Sequence, residues 1–348
     1  MKKFILKSVL LTSLSIASSI VIAQDIHFSQ MRYSPLNLNP GLTGADGNLQ
    51  ISSNYRTQWN SVAAPFETIG ASFETRIREK RGANGFLALG LNFFNDVAGD
   101  VRMRTTNASL NVAYHAYLDD NSTLGLGMQA GFGQRGISPD NGLWESQFVG
   151  TGFNPLIPSG ENFAETSFSH FDAGAGMVYK FKDGASTMRS NDQREFTAGL
   201  AAYHVNRPEN NFLVGGEDAL AVRWTAFAHG LVGIRNTNWS YMPAAYYVRQ
   251  RTHQEFLLGS YIRVLLKEAS RSTVFFNAVY MSYGAFYRVG DAMVAKFMLE
   301  YSHFSLGFAY DFNVSTLTPV SNGRGGLEVF LRYSVPRPVG PNSRSRIR

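Results

Sequence analysis

The residues best suited to metal binding or catalysis are the seven histidines, which are scattered along the chain. No two have the HxH or HxxxH spacing that brings a pair of imidazoles to one metal ion. The chain also has no cysteine, which excludes thiolate ligands, disulfides and a cysteine nucleophile. We therefore expect structural roles for the histidines, no metal and no cofactor. They are His27, His115, His170, His204, His229, His253 and His303.

Two further patterns could support chemistry, and both are weak. His303 and Ser305 share a predicted strand and one of its faces, but nothing identifies the third polar group that orients the histidine of a hydrolase. The motif NDVAGD, from Asn95 to Asp100, lacks the dense acidic spacing of a calcium loop and indicates a tight polar turn. We expect no catalytic residues and no enzymatic activity.

In the segments that position these residues, large apolar residues alternate with small or polar ones at a period of two, which is typical of strands. In STLGLGMQAGFGQ, large apolar residues such as Leu126 and Phe132 occupy one face, while Gly125 and Gly127 occupy the other. The second face is too small and polar for a protein core. In a soluble β-sandwich, this face would be exposed to solvent and would carry Lys, Glu, Thr and Arg. Small residues instead suit a crowded barrel lumen, either as an open pore or around an inserted peptide.

We therefore predict an all-β fold, a transmembrane antiparallel β-barrel of about 14 strands and outer-membrane type. No apolar run after the N-terminus approaches the ~20 residues of a membrane-spanning helix. The predicted strands lie near 49–59, 67–78, 85–95, 101–118, 122–135, 168–182, 194–205, 221–235, 239–250, 253–266, 271–289, 291–301, 303–315 and 325–335.

The N-terminus has a basic start, a short apolar run and a small-residue cleavage pattern, which together indicate a secretory signal peptide cut between Ala23 and Gln24. The predicted organisation is then a signal peptide (1–23), an N-terminal periplasmic or plug-like extension (24–48), the barrel (49–335) and a basic C-terminal tail (336–348). Export and the absence of a basic stripe argue against a nucleic-acid partner. We expect an integral protein of a Gram-negative outer membrane, in contact with its lipid.

The lengths of the connections between strands predict how the barrel is oriented in the outer membrane. The two longest connections, Gly136 to Ser167 and Asn206 to Leu220, both follow odd-numbered strands and so lie outside the cell, whereas shorter turns face the periplasm. Because the stretch from His27 to Gly44 precedes the first strand, we expect it at the periplasmic mouth, folded against the barrel interior or lower rim. There it would partly close the lumen or present a docking edge to a periplasmic subunit.

QDIHFSQMRYSPLNLNPGLTG, followed by NYRTQW and PFETIGASFE, resembles the start of the PorP/SprF family of outer-membrane proteins, which are associated with type IX secretion and gliding in the Bacteroidota. YHVNRPENNFL resembles the family's His-containing loop, and RVGDAM, GFAYDFNVSTL and GGLEVFLRYSV resemble its late strands. The tail PRPVGPNSRSRIR departs from the family, whose members commonly end near the last strand. The family-motif residues that could dock a partner are Phe28, Gln30, Tyr33, Pro35, Asn39, Pro40, Tyr55, Arg56, Trp59, Pro65, Phe66, His204, Pro208 and Phe212.

The resemblance implies a non-enzymatic barrel of the secretion and gliding machinery that supports export or surface attachment of a secreted protein or adhesin. Its implied partners are type IX secretion subunits in the periplasm or outer membrane and the C-terminal domain of the secreted cargo. The alternative is a passive outer-membrane transporter similar to 14-stranded fatty-acid channels.

Overall fold

In a computed structural model, the chain forms a closed antiparallel barrel of fourteen strands, β1 to β14, in which each strand pairs with the next and β14 pairs with β1. The structure describes residues 25–59, 64–77, 83–149, 152–154, 156–160, 166–184, 191–210, 212, 218–268, 278–315 and 318–336. The predicted signal peptide, and the tail beyond Pro336, lie outside these residues. Among the described residues, no helix has the length and apolar character needed to cross a membrane.

The strand bounds follow in chain order, from β1 to β14: Leu49–Gln58, Phe66–Arg76, Gly85–Ala98, Met103–Tyr117, Ser122–Gly136, Ser167–Asp183, Arg194–Tyr203, Arg223–Gly233, Trp239–Gln250, His253–Lys267, Val279–Arg288, Ala292–Tyr301, Phe304–Asn313 and Arg324–Val335. The short helices are Pro35–Leu38 and Thr318–Ser321, and the 3-10 turns are Met31–Tyr33, Pro40–Leu42, Pro139–Asn141 and Glu145–Gln147. A two-stranded hairpin, Phe148–Val149 with Gly152–Phe153, lies in the connection between β5 and β6.

The predicted fold class is confirmed, and each predicted strand is present with its ends shifted by at most a few residues, except at β11. That strand begins at Val279, and the predicted residues 271–277 lie outside the described part of the chain. The Asn95–Asp100 motif was predicted as a turn, but β3 continues to Ala98 and the turn begins only at Gly99. The reason is that Asn95 and Asp96 pair in register with both neighbouring strands.

Period-two alternation places the large apolar side chains outside and the small or polar ones inside. Leu126, Met128 and Phe132 are 57%, 71% and 58% exposed, whereas Gly125 and Gly127 on the same strand are buried. A wall of exposed apolar side chains on a closed sheet is what the lipid of a membrane requires. The outer face of the barrel is therefore its membrane face.

The two ends of the barrel differ. The connection between β5 and β6 and the one between β7 and β8 are the longest, and both lie at the end opposite to the start of β1 and the end of β14. We call this end the loop end and the other the turn end. In bacterial barrels the longer loops face outside, so the loop end corresponds to the cell surface.

Candidate functional site in the barrel lumen

The lumen is occupied by the chain's own N-terminal residues 25–48, here called the lumen segment. At the loop end, the backbone N–H of Asp25 donates to Gln250 Oε1 at 3.1 Å, where β9 finishes. Near the turn end, the N–H of Gly44 donates to Glu74 Oε2 at 2.9 Å, close to the end of β2. The segment therefore runs through the barrel from the loop end to the turn end.

This path differs from the expected position at the periplasmic mouth. The alternating direction of the strands determines only the end of the barrel at which β1 starts, and Leu49 does lie at the turn end. A lead-in of this length can reach the opposite mouth, because an extended chain covers up to ~3.3–3.6 Å per residue. The mouth at which the described chain begins is thus decided by contacts inside the lumen.

The large apolar side chains of the segment are buried in the barrel. Phe28, Tyr33, Leu36 and Leu38 are each at most 3% exposed. Tyr33 stacks on Phe330 of β14, with ring centroids 4.0 Å apart. Burying such a side chain stabilises by roughly 1.5–3 kcal/mol. Packing alone therefore gives the segment a substantial preference for the lumen.

Asn39 and Pro40 attach the middle of the segment to the wall. The Asn39 carboxamide oxygen accepts from Gly41 N–H at 2.7 Å and caps the following 3-10 turn, whose first residue, Pro40, has no N–H to satisfy. The Asn39 Nδ2 group donates to the carbonyls of Met177 on β6, at 3.1 Å, and Leu200 on β7, at 3.0 Å. One side chain thus caps the turn and fixes it to two strands.

The glycine face of β5 lies directly against this turn. A Cβ atom on Gly127 would meet the carbonyl oxygen of Pro40 at 2.3 Å and the backbone nitrogen of Gly41 at 2.5 Å. On β6, a Cβ on Gly176 would meet Asn39 Oδ1 at 2.1 Å. The small residues of the lumen face therefore make room for an inserted peptide, which was one of the two interpretations open from the sequence.

Ser29 is the centre of a buried charged cluster. Its hydroxyl donates to Asp311 Oδ1 at 2.8 Å, and accepts from Arg56 Nη1 at 2.8 Å and Arg288 Nη2 at 2.6 Å. Its backbone N–H donates to Glu328 Oε2 at 2.6 Å. These partners come from β1, β11, β13 and β14, so one residue of the lumen segment ties together four strands.

The partners also form ion pairs with one another. Arg56 forms ion pairs with Asp311 at 2.9 Å and Glu328 at 3.5 Å, and Lys296 Nζ donates to the Ser29 carbonyl at 2.5 Å. We define the Ser29 cluster as Ser29, Arg56, Arg288, Lys296, Asp311 and Glu328. Removal of one partner from a buried pair typically costs about 3–5 kcal/mol, because the other charge is left uncompensated. The cluster therefore specifies the position of the segment strongly.

A second contact holds the segment where it enters at the loop end. His204 follows β7, and its Nδ1 and Nε2 atoms lie 2.7 Å from Asp172 Oδ1 and 2.5 Å from Asp25 Oδ2. Burial alone would lower the pKa of His204, but the two carboxylates outweigh it and raise the pKa to about 9. The imidazole is thus a cation at neutral pH, and we call this contact the His204 latch.

The latch is not suited to metal chemistry, because its two carboxylates occupy opposite ring nitrogens and do not converge on a point. Among the described residues, no group of three or more histidine and acidic side chains could hold a metal ion. His303, considered with Ser305, lies in the turn before β13, where its Nδ1 is 3.1 Å from the Ser334 carbonyl oxygen. The predicted sharing of one strand face by His303 and Ser305 is wrong, because β13 begins only at Phe304 and His303 is exposed while Ser305 is buried.

The structure divides the sequence-predicted site residues into two groups. One group meets in the lumen: Phe28, Gln30, Tyr33, Pro35, Asn39, Pro40, Arg56 and His204. The other lies at the loop end or on the membrane face: Tyr55, Trp59, Pro65, Phe66, Pro208 and Phe212. Ala23 and Gln24, the predicted cleavage site, lie outside the described residues.

Members of the second group serve the surface of the barrel. Tyr55 is 40% exposed on the outer wall, and Trp59 packs edge-on against Phe66, with ring centroids 4.7 Å apart. The Pro208 carbonyl accepts from Leu220 N–H at 2.8 Å. Phe212 packs against Phe168, with centroids 4.8 Å apart. These contacts order the loops and do not touch the Ser29 cluster.

The site list from the sequence omitted six charged residues of the Ser29 cluster and the His204 latch: Asp25, Asp172, Arg288, Lys296, Asp311 and Glu328. A signal for several of them was present. Lys296, Asp311 and Glu328 are charges on lumen-facing positions of strands whose other inward residues are mostly small or uncharged. Asp25 had no such signal, because it lies in a segment without regular periodicity.

Comparison with known protein families identifies the chain. A family model described as type IX secretion system membrane protein PorP/SprF matches residues 20–333. The chain belongs to the PorP/SprF family. This match covers nearly the whole barrel of the PorP/SprF protein and the lumen segment, and confirms the resemblance noted in the sequence.

Comparison with curated proteins finds no match. Among solved structures, the PorP/SprF chain is similar to the P. putida toluene transporter TodX, with 11% identity, a TM-score of 0.46 and coverage of 87% of this chain and 93% of that chain. It is also similar to a Pseudomonas aeruginosa FadL homologue, with 10% identity, a TM-score of 0.42 and coverage of 85% and 92%. CdiB from Acinetobacter baumannii shows 9% identity, a TM-score of 0.42 and coverage of 82% and 60%.

Proposed function

We propose that this PorP/SprF protein is a closed, non-enzymatic barrel of the type IX secretion machinery that supports the export or surface attachment of a secreted protein or adhesin. Its partners on this proposal are other secretion subunits and the C-terminal domain of the cargo. The prediction of an N-terminal signal peptide, and the association with gliding in the Bacteroidota, belong to the same proposal.

The observation that carries the proposal is the occupied lumen. A passive transporter needs a path through its barrel, whereas residues 25–48 fill this lumen and are fixed by the buried Ser29 cluster. The segment also packs closely against the wall, since it leaves no room for a Cβ atom on Gly127 or Gly176. A barrel that is closed by its own chain suits a scaffold or anchor better than a channel.

The first test is a clean deletion in the native host, with surface proteins measured by whole-cell shaving and mass spectrometry. We expect one cargo, or all type IX cargo, to be missing from the surface and restored by the wild-type gene. Normal surface display in the deletion strain would rule out the proposed role. In-cell crosslinking of the restored protein should then recover secretion subunits or a cargo C-terminal domain.

A second test addresses the passive-channel alternative. Purified protein in planar bilayers should show no steady open conductance, because the lumen segment blocks the path. A variant lacking residues 25–48 should conduct if its barrel still assembles. A stable, wide conductance of the intact protein would favour the transporter.

A further inference from the structure

A cavity of about 430 Å³ opens on the outer wall of the barrel at the loop end. It lies where β8 begins and β9 finishes, beneath the connection that joins β7 to β8. Three arginines and a tryptophan line it together with the short stretch 219–222: Arg207, Arg249, Arg251 and Trp224. Neither the lumen segment nor the Ser29 cluster contributes to it.

Two of the three arginines are available to a ligand. Arg251 donates to Asp218 Oδ1 and to the Ala219 carbonyl, so it holds one wall of the cavity in place. Arg207 and Arg249 are exposed and have no ion pair or side-chain hydrogen bond with any of the described residues. The cavity therefore carries a net positive charge that the described part of the chain does not neutralise.

Trp224 and Arg249 locate the cavity at the level of the lipid headgroups. They are directly opposite each other in the register of β8 and β9, and Trp224 is 58% exposed on the membrane face. Tryptophan is enriched where the apolar core of a membrane meets its headgroups. Toward the membrane centre, the next outward pair is Ala226 and Tyr247. Toward the loop end, Arg251 follows the end of β9 at Gln250.

We propose that this cavity binds the phosphate group of a phosphorylated glycolipid in the outer leaflet. A guanidinium group offers paired N–H donors that match phosphate oxygens, and basic pockets at membrane interfaces recognise lipid headgroups in this way. Trp224 would contact the sugar and the first acyl carbons, since its indole is apolar with one polar edge. The lipid-facing position favours a headgroup over a soluble anion.

The test uses the full-length protein, purified in detergent and studied by native mass spectrometry with diphosphorylated lipid A as the probe and dephosphorylated lipid A as its comparison. We expect the wild type to retain the phosphorylated probe at least about tenfold more tightly, because two charge-assisted contacts depend on the phosphate. The double variant Arg207→Ala/Arg249→Ala should lose that difference, while Arg249→Lys keeps part of it.

Arg235→Ala is the matched control, because Arg235 is exposed in the turn that joins β8 to β9, at the opposite end of the same pair of strands. It should bind the probe like the wild type, and all variants should keep the heat-modifiable mobility of a folded barrel. Equal binding of both lipids by the wild type, or undiminished binding by the double variant, would overturn the proposal. Displacement of the lipid by millimolar inorganic phosphate would also overturn it, in favour of a soluble-anion site.

Discussion

Ser29→Ala is the sharpest perturbation of the lumen segment, because it removes one hydroxyl and leaves every charge in place. The hydroxyl makes three short contacts, with Arg56, Arg288 and Asp311. Hydrogen bonds to charged groups contribute about 1.5–3 kcal/mol each, but the arginines and Asp311 still pair with one another after the change. We therefore expect the segment to lose about 2–4 kcal/mol of docking free energy while the barrel itself stays folded.

The loss can be measured as accessibility, since the chain has no cysteine of its own. Leu36→Cys places a single thiol at a position with 0% exposure, inside the lumen. A maleimide then reacts only when the segment opens, so the labelling rate reports the opening equilibrium. Because 1.4 kcal/mol is a factor of ten, adding Ser29→Ala should raise that rate about 30- to 700-fold.

Ser282→Ala provides the matched control. Ser282 is also a lumen-facing serine with 0% exposure, but its hydroxyl has no hydrogen-bond partner among the described residues. In the Leu36→Cys background, this variant should label at nearly the unmodified rate. If Ser29→Ala and Ser282→Ala label alike, the Ser29 cluster does not hold the segment and the reasoning fails.

Three further predictions concern the same segment. Because the pKa of His204 is raised, the latch contributes its full stability below the ordinary imidazole pKa of 6.5 and loses it as pH rises through about 9. Labelling of a thiol introduced near Asp25 should therefore accelerate across that pH range. His204→Asn should remove this pH dependence. Gly127→Ala should destabilise the docked segment by about 1–3 kcal/mol, because the added Cβ overpacks against Pro40, and the thiol should then be labelled faster. Gly136→Ala on the same strand is the control and should have no effect, because a Cβ on Gly136 would meet its nearest neighbouring atoms only at 3.6 Å. An epitope inserted just before Asp25 should bind antibody on intact cells, and binding only after permeabilisation would contradict the path from loop end to turn end.

The composition of the last strands explains how much of the lumen site could be predicted from the sequence. Charged residues such as Lys296, Asp311 and Glu328 stand out among the inward positions of their strands, so a polar site inside the barrel can be recognised from the pattern. The motif residues Asn39 and Pro40 can be recognised as a capped turn for a similar local reason. The local sequence around these residues does not identify the residues that they contact.

The sequence by itself determined the number of strands, their order and the face that meets the lipid, because alternation with period two is a local property of each strand and antiparallel neighbours follow one another along the chain. The tertiary structure alone decided that the small lumen face encloses a peptide and that this peptide starts at the loop end. Ser29 lies 282 residues from Asp311, and Asp25 lies 179 residues from His204. Contacts at such separations depend on closure of the barrel, which brings the last strands beside the first and surrounds the segment with charges from both.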